Sequence, residues 1–142
     1  VLDSNKYELG YGVQPEILQI PLVGQVTAGI PILSEHNIEK YIALPANLVK
    51  GSDSFALRIK GDSMVNAGIL NNDFVIVDKK YQAINNEIVV AIVHNEYATV
   101  KRFKKSDDCI ILKPENDYMD SIVLNSKDVS IVGIVTGVFR VL

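Results

Sequence analysis

Short apolar runs rich in β-branched residues recur along most of the chain, with turn-forming residues between them. Their close spacing and period-two alternation indicate strands rather than helices. The sequence therefore predicts a mostly β fold, a compact antiparallel β domain of short twisted strands with few short helices. The predicted strands are Ile20–Val26, Phe55–Ile59, Phe74–Val77, Ile88–Val93, Thr99–Phe103, Cys109–Leu112, Ile122–Leu124 and Val129–Val141.

Two parts of the chain depart from this strand pattern. Residues 1–19 are mixed and polar, and glycines and Pro15 interrupt any periodicity there. We interpret them as an interdomain linker, and residues 20–142 as the folded domain. Helix signals are weak and are confined to possible turns at Asn66–Leu70 and His36–Tyr41.

One hairpin is well defined by its alternation. Residues 87–93 lead through a three-residue polar loop into residues 97–103, which is typical of a β-hairpin. Because side chains alternate between the two faces of a strand, Lys101 shares a face with Thr99 and points away from the face of Arg102. The pattern therefore separates Lys101 from the rest of its basic run and places it among partly apolar neighbours.

Composition limits the classes of function. Hydrophobic residues make up 48% of the chain and charged residues 22%, as in soluble globular proteins. The net charge of -3 argues against a large phosphate-binding surface, so these residues alone should bind DNA poorly. A single cysteine, Cys109, favours a reducing compartment such as the cytoplasm. No apolar run approaches the ~20 residues of a membrane-spanning helix, so no membrane partner is expected.

The segment Gly61–Met64 is a candidate nucleophile loop. Ser63 follows a predicted strand between a glycine and a turn, which can present a serine at the mouth of a cleft beside a backbone N–H. Taken alone, the segment is also ordinary turn composition, in which Ser63 would hydrogen-bond its own loop.

Lys101 is a candidate base. Its alternative interpretation is a solvated member of a basic surface run. A lysine that points into apolar surroundings has a lowered pKa, and a neutral lysine can take a proton from a serine without any histidine.

Other chemistries have less support in the sequence. His36 and His94 lie in a loop-like stretch and at a hairpin tip, where both should be exposed. With Cys109 they give no metal-ligand spacing of a known kind, so no metal is expected. Cys109 lies in an apolar run, and we expect a buried, inert thiol.

A third element is the segment Val26–Pro31, where Ala28 and Gly29 leave the backbone accessible. Together with Gly61–Met64 and Thr99–Phe103, it resembles the LexA family of self-cleaving repressors, whose relatives include UmuD-type polymerase subunits and some phage repressors. The resemblance covers nearly everything from residue 20 to 141, and the order and separations of the three motifs agree. Residues 112–116 and 131–138 also resemble later strands of the family, the last of which helps to form its dimer.

The resemblance implies a specific reaction without cofactor or metal. Lys101, as general base, takes the proton of Ser63, which attacks the carbonyl of Ala28 in the same chain, and the Ala28–Gly29 bond breaks. The backbone N–H groups near Ser63 and Met64 would hold the oxyanion.

The resemblance also implies partners. A homodimer would carry two N-terminal DNA-binding domains to operator DNA, and the RecA filament on single-stranded DNA would act as co-protease, so that cleavage ends the repression of DNA-repair genes in the SOS response. Two alternatives stay open: a UmuD-like subunit of a translesion polymerase, and a catalytically silent dimerisation module.

Overall fold

The computed structural model describes residues 16–27 and 29–142. Strands account for 49% of the described residues, and the helical segments among them are 3₁₀ turns at Ala46–Leu48, Val65–Ala67 and Ser126–Asp128. None of its helices is long and apolar enough to cross a membrane. The strands are β1 (Ile17–Val23), β2 (Ile38–Pro45), β3 (Ser54–Arg58), β4 (Phe74–Lys79), β5 (Ile88–Val93), β6 (Tyr97–Ser106), β7 (Cys109–Lys113), β8 (Ile122–Asn125) and β9 (Val129–Phe139).

The nine strands form one sheet in the order β2-β1-β3-β4-β9-β5-β6-β7-β8. All neighbouring pairs are antiparallel except β1 and β3, which run parallel with Leu22 opposite Ala56 and Val23 opposite Leu57. The predicted hairpin is β5–β6, in which Val93 pairs with Tyr97 across the turn. The predicted mostly β fold is confirmed.

Strand β9 joins the two halves of the sheet. Its first part pairs with β5 and its second part with β4, and bulges interrupt both ladders. At the junction a Cβ on Gly133 would overlap Cγ1 of Val77 and lie 2.7 Å from the carbonyl oxygen of Asp78. Only glycine allows the strands to approach so closely. Because bulges bend and twist a strand, the sheet can enclose more than one core.

The buried apolar side chains form three clusters, of which the first supports the candidate site. It joins residues from β1, β3, β4, β5 and β6 with two residues that follow the candidate nucleophile. A second cluster lies between β5, β6, β7 and β9, and a third between β1, β2, β3 and β4. The first cluster comprises Val23, Phe55, Leu57, Ile59, Met64, Ile69, Val75, Val77, Val90 and Val100.

The prediction was wrong at β2. A helical turn was expected at His36–Tyr41, but Ile38 already begins a strand that pairs with β1. β2 is an edge strand, and Glu39, Lys40 and Tyr41 are all exposed at its start. Edge strands often carry charged and polar residues, so the alternation of apolar and polar residues that predicts a strand is weak in β2. The neighbouring strand β1 also begins earlier than predicted, at Ile17.

The expectation of a buried Cys109 was also wrong. Its side chain is exposed at the first position of β7. Ile110 and Leu112 on the same strand are buried, so the inward face of β7 begins one residue later. Period two places Cys109 on the outer face.

Candidate active site

The segment Gly61–Met64, here called the nucleophile loop, leaves the sheet at the end of β3. Ile59 before it and Met64 at its end are buried in the first core cluster, so the loop is anchored on both sides. Gly61 has φ of +88°, a conformation that favours glycine, and its N–H donates to Oδ1 of Asn71 over 2.7 Å. This turn leaves Ser63 partly exposed.

Lys101 reaches the nucleophile loop from β6. Its Nζ lies 3.3 Å from Oγ of Ser63, and it also hydrogen-bonds Oγ1 of Thr99, two residues earlier on the same strand. Thr99 and Lys101 share a face of β6, as the period-two pattern predicted. The structure therefore brings together two candidate residues that lie 38 positions apart.

Burial of the Lys101 amine lowers the pKa of that side chain from its ordinary value of 10.5. None of the ion pairs in the described part of the chain includes Lys101, so no carboxylate offsets the cost of charging it there. An amine in this environment loses its proton more readily than a solvated lysine. It can then accept a proton from the Ser63 hydroxyl.

Ser63 and Lys101 line one cleft with a volume of about 360 Å³. Strand β6, the end of β3 and the segment that follows β1 form its walls. Its lining mixes apolar residues with polar and charged ones. The lining residues are Gly24, Gln25, Val26, Leu57, Arg58, Ile59, Lys60, Ser63, Met64, Glu96, Tyr97, Ala98, Thr99, Val100 and Lys101.

The backbone of the nucleophile loop offers donors beside Ser63. Among the described residues, no acceptor takes the N–H of Ser63 or of Met64. The side chain of Met64 is only 2% exposed, which fixes this part of the backbone. Two fixed N–H groups beside a serine suit the stabilisation of an oxyanion.

A segment that sequence reasoning did not assign to the site holds the nucleophile loop in place. The N–H of Glu115 donates to the carbonyl of Ser63 over 2.8 Å, and the N–H of Asn66 donates to the carbonyl of Glu115 over 2.8 Å. Nδ2 of Asn116 donates to the carbonyl of Asp62, also over 2.8 Å. In the sequence this stretch stood out only as a family likeness, because backbone bonds leave no pattern in residue types.

The loop between β1 and β2, residues 24–37, carries the predicted cleavage site and is here called the cleavage loop. Ala28 lies outside the described residues. Gly29 is exposed, and it lines a neighbouring groove with Tyr97, not the cleft that contains Ser63. A Cβ at Gly29 would meet no atom within 4 Å, so there is open space beside this glycine.

The cleavage loop runs along both cavities. Its first residues, Gly24–Val26, form part of the wall of the Ser63 cleft, and residues 29–32 line the neighbouring groove of about 470 Å³. Val26 lines both cavities, and Thr27 lines the neighbouring groove.

Asn37 is a second residue that sequence reasoning missed. It closes the cleavage loop, is only 3% exposed, and hydrogen-bonds loop backbone on both sides of the predicted bond. A polar side chain at the end of a loop is ordinary in sequence, so only its burial distinguishes it.

The remaining candidates lie apart from this cleft. His36 and His94 are exposed, as predicted, and neither lines the Ser63 cleft. In residues 16–27 and 29–142, no group of three or more His, Cys, Asp and Glu side chains is placed to hold a metal ion.

Comparison with known proteins supplies a family for this arrangement. A family model described as Peptidase S24-like matches residues 21–136, which include the cleavage loop, Ser63 and Lys101. The LexA repressor of Clostridioides difficile is 58% identical over 142 residues, the whole of this chain. Those of Alkaliphilus oremlandii and Caldicellulosiruptor saccharolyticus are 51% identical over 137 residues and 52% identical over 128 residues, or 96% and 90% of this chain.

The chain is shorter than these relatives. It spans 67%, 65% and 62% of the lengths of the three repressors. The similarity therefore concerns about two thirds of each relative.

Proposed function

Because this chain belongs to the Peptidase S24-like family and is a LexA-type C-terminal domain, we propose that it cuts its own Ala28–Gly29 bond, with Ser63 as nucleophile and Lys101 as general base. One observation carries the proposal. The partly buried amine of Lys101 lies 3.3 Å from the Ser63 hydroxyl, and burial lowers the pKa of that amine.

The proposed reaction begins with proton transfer from Oγ of Ser63 to the neutral Nζ of Lys101. The Ser63 oxygen bonds to the carbonyl carbon of Ala28, and the N–H groups of Ser63 and Met64 stabilise the oxyanion. The carbon–nitrogen bond then breaks as Lys101 returns its proton to the leaving amine of Gly29. Water hydrolyses the ester at Ser63 and restores the hydroxyl.

In this proposal the position of the cleavage loop limits the rate of self-cleavage. Nucleophile and substrate belong to one chain, and well-oriented intramolecular groups reach effective molarities of ~10⁵ to 10⁸ M. A loop always placed for attack would therefore be cut quickly. We propose that the loop occupies the cleft only part of the time, and that the RecA filament on single-stranded DNA raises this fraction.

The biological role follows from the relatives. They are named repressors, and we propose that this domain dimerises and holds two DNA-binding domains on operator DNA. Cleavage between DNA-binding and dimerising parts lowers the avidity of the dimer for its operator, which would end repression in the SOS response. The relatives' names favour this role over that of a polymerase subunit.

Intact mass spectrometry of the purified chain at mildly alkaline pH tests the proposal. We expect two products, residues 1–28 and residues 29–142, to accumulate together. Ser63→Ala should abolish them, and Ser52→Ala, at an exposed serine of another loop, should leave their rate unchanged. Products cut elsewhere, or equal cleavage by Ser63→Ala, would contradict the assignment.

A further inference from the structure

Asn37 is one of three buried polar or charged side chains in the described part of the chain, with Ser54 and Asp73. Ser54 donates to carbonyls of its own loop, and Asp73 is held by Arg140. Asn37 differs because its partners lie on the cleavage loop. Burial of an amide is costly unless its polar atoms are satisfied, so these bonds determine where the side chain can lie.

The side chain of Asn37 bonds both arms of the cleavage loop. Its Oδ1 accepts from the N–H of Thr27 at 3.2 Å, on the arm before the Ala28–Gly29 bond. Its Nδ2 donates to the carbonyls of Pro31 at 3.1 Å and Ile32 at 3.3 Å, on the arm after it. One amide group therefore ties together the backbone on the two sides of the predicted cleavage site.

The backbone of Asn37 extends the same connection to the cleft. The N–H of Gly24 donates to the Asn37 carbonyl at 3.3 Å, and Gly24 is the first loop residue in the wall that faces Ser63. Both amide hydrogens and the carbonyl of the side chain are used within one loop. No other described side chain hydrogen-bonds both arms.

We infer that Asn37 is a positioning residue for self-cleavage, which holds the two arms of the cleavage loop together so that residues 24–26 lie along the Ser63 cleft. The inference rests on the proposed function. Without the Asn37 side chain, the backbone bonds from Ile30 to the carbonyl of Thr27 and from Gly24 to the carbonyl of residue 37, both at 3.3 Å, remain between the arms. The loop is then less restrained and spends less time in the geometry that attack requires. Loss of about 1 Å in placement can lower a rate by ~10².

Self-cleavage of Asn37→Ala tests the inference, measured as a first-order rate far below the melting temperature. We expect a rate at least about tenfold below that of the parent, while labelling of Ser63 by a fluorophosphonate probe stays at the parental rate, since Asn37 does not contact Ser63 or Lys101. Ser54→Ala is the matched control, because it also removes a buried hydrogen bond that holds a loop. Its rate should remain parental.

Three outcomes overturn the inference. The first is cleavage of Asn37→Ala at the parental rate or faster, and the second is an equal loss in Ser54→Ala. The third is loss of Ser63 labelling in Asn37→Ala. If Asn37→Ala fails to fold, Asn37→Ser is measured instead, because its shorter side chain does not reach both arms. Failure of the proposed function would be distinct, since the parent and Ser63→Ala would then cleave equally.

Discussion

The nucleophile loop and the cleavage loop are held in different ways. The nucleophile loop is anchored by buried Met64, by Asn71 on one side and by backbone and side-chain bonds from Glu115 and Asn116 on the other. Among the described residues of the cleavage loop only Asn37 is buried, and the loop is held by that side chain, by backbone bonds within the loop and by partly buried apolar side chains on the first core cluster. One partner of the proposed reaction is therefore anchored by a buried apolar side chain and a neighbouring segment, whereas the other packs on the core only through partly buried apolar side chains.

This difference indicates where the reaction is controlled. A preorganised serine and lysine need no rearrangement before attack, so the chemistry does not have to be assembled. In the proposed reaction the position of the cleavage loop would then set the rate, and a partner that favours one position would accelerate cleavage by a shift of population. Substitutions in the nucleophile loop or at Lys101 should alter the rate of the chemical step. Substitutions in the cleavage loop should alter how often that loop is placed for attack.

The largest effect is expected for Lys101→Met, which removes the base and keeps an unbranched side chain. Self-cleavage should fall by at least about 10³-fold, as when other serine proteases lose their base. The measurement is the rate of appearance of residues 29–142. Lys104→Met is the matched control, because Lys104 is exposed on the same strand, and it should cleave like the parent. Comparable losses in both variants would contradict the role of Lys101.

Lys101→Met should also stabilise the folded protein at neutral pH. Burial lowers the pKa of Lys101 in the folded protein, so the unfolded chain binds the proton of this amine more tightly than the folded chain does. The folded parent therefore gains stability as pH rises from the folded pKa towards the ordinary value of 10.5. The variant carries no such group, so its melting temperature should exceed that of the parent by a few degrees at pH 7, with a smaller excess at pH 10. An excess that grows with pH would contradict the burial argument.

A smaller effect is expected for Asn116→Ala, which removes one of the bonds that hold the nucleophile loop. The carbonyl of Asp62 would lose its donor, and the backbone beside Ser63 would be less fixed. We expect cleavage about five- to tenfold slower, since a hydrogen bond contributes about 1 kcal/mol. Asn85→Ala, which removes an exposed bond to the N–H of Lys105, is the control and should leave the rate unchanged.

The smallest effect on cleavage is expected for Arg140→Gln. Arg140 lowers the pKa of the buried Asp73 carboxyl through hydrogen bonds, with a further contribution from the N–H of Leu70. Because the folded pKa is lowered, this carboxylate stabilises the fold above its ordinary pKa of about 4, and the contribution is lost as pH falls.

In Arg140→Gln the acid-unfolding midpoint should therefore move to higher pH, by roughly half a unit, while cleavage at alkaline pH stays nearly parental. Circular dichroism against pH measures the midpoint. An unchanged midpoint would show that Arg140 contributes little to the pKa of Asp73.

Much of the fold could be predicted because it follows from local patterns. The alternation around Lys101 gave the correct face of β6, and the hairpin ended at the predicted residues 93 and 97. The pattern failed where neighbours decide the structure. Edge strand β2 exposes polar residues to solvent, so its sequence lacks the apolar alternation of a buried strand. Cys109 lies in an apolar run, but the buried positions of that strand begin at Ile110.

The site could be predicted only in part, for a related reason. Ser63 and Lys101 carry distinctive chemistry in distinctive motifs, so sequence alone could nominate them. The bonds that position them involve backbone groups at Glu115 and the ordinary amides of Asn116 and Asn37. Such contacts depend on tertiary geometry and have no signature in residue type or spacing.

The pH dependence of self-cleavage tests the central claim most directly. First-order rates of the parent chain, measured by intact mass from pH 6 to the alkaline limit of folding, should rise with pH as Lys101 loses its proton. They should level off at a midpoint below the ordinary lysine value of 10.5. A rate independent of pH, or a midpoint at 10.5 or above, would show that Lys101 is not the base.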